Sequence, residues 1–122
     1  MGISDCKITI RSGYVLVERP RDYEVSLNKR PAMLMELSSV CKEADCRKAL
    51  IVGPKTKVNL STFDILDLAQ QIAKLGLQIA IVESHDASVE EVKFLENAVW
   101  NRGGCVRFFD SKMEAKYWLQ LS

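Results

Sequence analysis

Three short apolar runs, residues 49–52 (Ala-Leu-Ile-Val), 77–82 (Leu-Gln-Ile-Ala-Ile-Val) and 105–109 (Cys-Val-Arg-Phe-Phe), alternate along the chain with longer stretches of helical periodicity. Side chains of a strand alternate between its two faces, so a run with almost no polar position implies cover on both. Strands that alternate with helices pair in parallel through βαβ units. Upstream, Ile8 and Ile10 alternate with Lys7, Thr9 and Arg11, the period-two mark of a half-buried strand. A second strand, Tyr14-Val15-Leu16-Val17-Glu18, follows after a link too short for anything but a hairpin. The expected fold class is therefore α/β, order ββαβαβαβα, with a mixed, mostly parallel five-stranded sheet and helices on both faces. Ile51, Ile79, Ile81, Val106 and Phe108 are expected among its buried residues.

The helical stretches carry their own punctuation. Leu34, Leu37, Val40, Cys41 and Ala44 recur at three and four within residues 28–44, where Asn28 is the expected N-cap and Pro31 falls in the first turn. Residues 61–75 form the clearest helix, with Ile65, Leu66, Ala69, Ile72 and Ala73 on one face and Gly76 at the C′ position. A third helix is predicted over 88–102, ending at Gly103-Gly104, and a fourth over 113–121. Ser61, Ser88 and Ser111 each precede an acid by three residues, as in a capping box; Asp64 in place of Glu makes the first the weakest. Trp100, Tyr117 and Trp118 read as core or edge-of-core residues rather than a stacking platform for bases.

The 122 residues contain no repeat, low-complexity tract or linker and read as a single domain over 1–122. Seventeen basic residues against sixteen acidic ones give no electrostatic case for a nucleic-acid partner. No apolar run reaches the roughly 18 residues a membrane span requires, and the first residues lack a secretory pattern. A cytoplasmic location is the resulting expectation. Cys6, Cys41, Cys46 and Cys105 form no CxxC pair, and His85 is the one histidine. That spacing does not suit tetrahedral zinc, so the cysteines read as structural thiols and no metal or cofactor is expected.

One place in the chain carries candidate chemistry. Ser61 and Thr62 follow the central buried strand through the loop 53–60, at the carboxyl edge where open α/β sheets bind ligands. A hydroxyl there could carry a phosphoryl group at a helix N-terminus, with Lys55 and Lys57 as cationic neighbours; the competing reading is a plain N-cap. Gly53-Pro54-Lys55-Thr56 lacks the Gly-Lys-Ser/Thr ending of a P-loop, and there is no GxGxxG. His85 between Ser84 and Asp86 is no triad, because a triad needs partners from separate elements and an oxyanion hole. No enzymatic site is expected.

The order of elements, the loop before Ser61, and the closing run Asn101-Arg102-Gly103-Gly104-Cys105-Val106-Arg107-Phe108-Phe109-Asp110 resemble STAS domains. That fold is shared by bacterial anti-sigma-factor antagonists and the cytoplasmic tails of sulfate transporters, and the chain is most similar to the uncharacterised bacterial SpoIIAA-like branch. The resemblance implies a non-enzymatic interaction or regulatory module, bound by a protein partner of kinase type or by itself. It implies control by phosphorylation at the start of the second main helix. Ser61 or Thr62 matches the phosphorylated position, although Leu60 stands where the antagonists have aspartate and Phe63 near their glycine. Ser61, Thr62, Phe63, Lys55 and Lys57 are thus the candidate phosphorylation and partner-binding residues. The plan also resembles lipid-carrying Sec14-like domains. The alternative reading is accordingly a small hydrophobic-ligand or lipid binder, which needs an enclosed apolar cavity.

Overall fold

The computed structural model describes residues 7–19, 30–53, 61–83 and 89–121. Its elements run β1 (Lys7–Arg11), β2 (Tyr14–Glu18), α1 (Arg30–Glu43), β3 (Lys48–Gly53), α2 (Thr62–Lys74), β4 (Gln78–Glu83), α3 (Val89–Asn101), β5 (Cys105–Phe109) and α4 (Lys112–Trp118). The chain is α/β with one five-stranded sheet in the order β1-β2-β3-β4-β5. β1 is antiparallel to β2 and the other three pairings are parallel, so the expected element order and mixed sheet are as the sequence indicated.

Sequential parallel strands joined by right-handed crossovers put every crossover helix on the same face. The main core follows from that. Val15, Val17, Ala49, Ile51, Ile79, Ile81 and Val106 point to one side of the sheet, against Leu34, Leu37 and Cys41 of α1, Ala69 and Ile72 of α2, and Ala98 and Val99 of α3. The other face holds a smaller core, in which Leu50, Ala80 and Val82 meet Ala115 and Leu119. There the Phe109 and Trp118 rings lie 5.5 Å apart at 48°, a tilted aromatic contact that seats α4 on β5. Helices do occupy both faces, three against one. Phe108 departs from expectation: it is half-buried, because β5 is the last strand and has a neighbour on one side only. The Phe108 N–H donates to Glu96 Oε2 of α3 at 3.1 Å, which occupies a donor on that open edge.

Two of the three aromatic residues expected in or at the edge of the core depart further from expectation. Trp100 is 70% exposed and Tyr117 85% exposed, while Trp118 alone is partly buried. Trp100 directly follows the buried pair Ala98 and Val99, but the turn of the helix carries it off their face. Among the described residues no helix is long and apolar enough to cross a membrane. Asn28, Ser88 and His85 lie outside the described residues.

Candidate functional site

The described part of the site is the first turn of α2. Ser61 has φ −68° and ψ 163°, outside helical space, and is the N-cap. Its Oγ accepts from the Asp64 N–H at 3.1 Å, and its own N–H donates to Asp64 Oδ2 at 3.4 Å. The box is reciprocal. The return bond is the longer of the two, as the short Asp side chain dictates. Ser111 caps α4 by accepting from the Glu114 N–H at 3.2 Å, so the box expected to be weakest, Ser61 with Asp64, is the one described with both of its bonds.

Ser61, Thr62 and Phe63 are all exposed, and Phe63 most informatively, at 77%. The cause is angular. Ile65, Ala69 and Ile72 are the buried stripe of α2, whereas Phe63, Asp67, Gln70 and Lys74 follow one another at three and four on its outer side. One stripe cannot bury Phe63 and Ile65 together. An aromatic side chain therefore stands in solvent next to two hydroxyls at a helix N-terminus. Lys55 and Lys57 lie outside the described residues.

Chemically this turn can offer orphan N–H groups and one hydroxyl that already works as an acceptor. Its O–H remains available as a donor or as the atom a phosphoryl group would replace. A phosphoryl group on Ser61 would face the Asp64 carboxylate, which the capping box holds beside it, so modification there would disturb the cap. Thr62 sits one residue into the helix and has no part in that box.

Arg19 is a residue at this edge that the sequence did not single out. Its N–H donates to the Val52 carbonyl at 2.8 Å, continuing the β2–β3 ladder by one residue. Its side chain then lies across the end of β3. A Cβ on Gly53 would fall 2.6 Å from Arg19 Cβ and 2.9 Å from its Cδ. Gly53 signals that some group approaches the strand end closely, but nothing in the sequence says that the group is Arg19.

At the opposite, amino edge of the sheet a groove of about 350 Å³ is lined by Arg47, Lys48, Leu77, Gln78 and Cys105 with three glycines. It is open to solvent and partly cationic, unlike the enclosed apolar cavity a lipid carrier uses. Cys41, Cys46 and Cys105 are free thiols. Burial pushes the Cys105 thiol up, against the opposing charge of Arg107. Among the described residues no three His, Cys, Asp or Glu side chains gather where they could hold a metal ion. No protein-family model matches the sequence, and no curated protein matches it.

Proposed function

We propose that the chain is a non-enzymatic interaction or regulatory module of STAS type, which meets a protein partner through the first turn of α2. The observation that carries this reading is Phe63, an aromatic ring exposed beside Ser61 and Thr62 at the carboxyl edge of the sheet. Aromatic residues are common anchors at protein interfaces, where burying one contributes more than its neighbours do. The order ββαβαβαβα supports the reading, since the resemblance to anti-sigma-factor antagonists rests in part on that order. In this reading the hydroxyls of Ser61 and Thr62 are the regulated atoms: a phosphoryl group adds about −1.5 to −2 charges next to the Phe63 anchor and beside Asp64.

The test uses tagged protein expressed in its own host. Ser61→Asp keeps an N-cap but adds charge, so the domain is expected to stay folded while a co-purifying partner is lost. Peptide mapping of the wild type should also find phosphate on Ser61 or Thr62. Identical co-purification by wild type and Ser61→Asp, with no phosphate at Ser61 or Thr62, would sink the reading and leave Ser61 as a cap.

A further inference from the structure

The end of α1 brings two thiols together by backbone geometry. The Cys46 N–H donates to the Cys41 carbonyl at 3.0 Å, and the Asp45 N–H to the Lys42 carbonyl at 3.2 Å. With Asp45 at φ +52°, this is a Schellman motif, in which the residue after the left-handed position folds back onto the residue five before it. Such motifs usually place two apolar side chains in contact at those positions. Here both are cysteines, set against each other by that backbone fold. The two differ in access: Cys41 is buried against the sheet, whereas Cys46 is half-buried and its Sγ donates to the Lys48 carbonyl at 3.9 Å.

We infer that Cys41 and Cys46 are a dithiol that closes to an intramolecular disulfide, with small-molecule disulfides as its oxidant. The accessible Cys46 thiolate attacks one sulfur of the oxidant, forming a mixed disulfide and releasing one thiol. Cys41 then loses its proton to solvent and attacks the Cys46 sulfur. The Cys41–Cys46 bond forms, the mixed disulfide breaks, and the second thiol of the oxidant departs. Two protein thiols are oxidised and one small disulfide is reduced to two thiols. Burial, and then the neighbouring Cys46, push the Cys41 thiol up to about 12. Cys41 is therefore protonated at neutral pH, which assigns the first attack to Cys46 and makes the second step the slow one. The bond would tie the end of α1 to the start of β3, where Cys41 packs with Leu37 and Ala49 in the main core.

Glutathione disulfide is the probe, applied to the full folded chain at pH 8 and followed by alkylation, unfolding and trypsin. Cleavage after Lys42 and Arg47 places Cys41 and Cys46 on different peptides. The expected product is those two peptides joined, with Cys105 and Cys6 not joined to either. Formation should quicken as pH rises from 7 to 9. Cys41→Ala should instead trap a lasting glutathione adduct on Cys46, and Cys46→Ser should give neither product. Wild-type protein that stops at the adduct, joins Cys41 to another cysteine, or stays fully reduced overturns the inference; none of these readouts needs a variant to fold.

Discussion

Gly104→Ala is the substitution whose cost the structure fixes most closely. Gly104 is the residue at which α3 turns into β5, its N–H donating to the Val99 carbonyl at 2.9 Å. A Cβ there would lie 2.7 Å from Ala73 Cα, 2.7 Å from Val99 Cγ1 and 3.0 Å from Ala73 Cβ. Those distances are far inside van der Waals contact. One obstacle is the backbone of α2 and another is a fully buried β-branched side chain with a stiff χ1, so neither yields cheaply. The strain must go into separating α2 from the α3–β5 corner, and overpacking of this kind costs about 1–3 kcal/mol. For a chain of this size roughly 4 °C in Tm corresponds to each kcal/mol, so a fall of about 4–12 °C is expected. Urea unfolding followed by circular dichroism should show a lower midpoint at an unchanged slope. Gly103 supplies the control. It has φ +85° with nothing within 4 Å of its added Cβ, so its alanine cost is conformational. Asn, which tolerates that conformation, should recover part of the loss at Gly103 and should be worse than Ala at Gly104. A Gly104→Ala variant within about 0.5 kcal/mol of wild type would refute the steric argument.

Three other outcomes are expected. Ile51→Ala, which empties a position 3% exposed at the centre of the sheet, should cost about 2–5 kcal/mol in the same urea assay. Asp45→Gly should stabilise by about 0.5–1 kcal/mol, because φ +52° is unfavourable for aspartate and free for glycine. Cys41 is neutral in the folded chain up to about 12 but ionises near 9.0 once unfolded. Its contribution is therefore complete below pH 9.0 and is lost as pH rises toward 12, so wild type should lose stability relative to Cys41→Ala across that window.

Legibility followed from how local each cause is. β3 and β4 announce themselves because Ala49, Leu50, Ile51 and Ile79, Ala80, Ile81 are buried on both faces, and a strand sandwiched between two layers leaves no polar position. Ser61 and Gly76 mark the ends of α2 for similarly local reasons. Asp45 and Gln120 escaped notice because each takes a positive φ that sequence reasoning reserves for glycine, yet each closes a helix. The three-to-one distribution of helices was hidden for a different reason. Periodicity shows that a strand is covered but not by what, and only the sequential strand order sends α1, α2 and α3 to one side. At the site, the exposure of Phe63 was foreseeable from its angle to Ile65. The position of Arg19 over Gly53 was not, since it depends on how far two distant strands run side by side.

The partner face at Ser61, Thr62 and Phe63 is tested most directly by one comparison. Wild type and Phe63→Ala are purified under native conditions from the host and the stoichiometric complex is weighed by native mass spectrometry. Phe63 is exposed, so its truncation should leave the unfolding free energy in urea within about 0.5 kcal/mol of wild type. The account predicts a partner held by the wild type and lost with Phe63→Ala at unchanged stability. The same complex recovered with both proteins would contradict it.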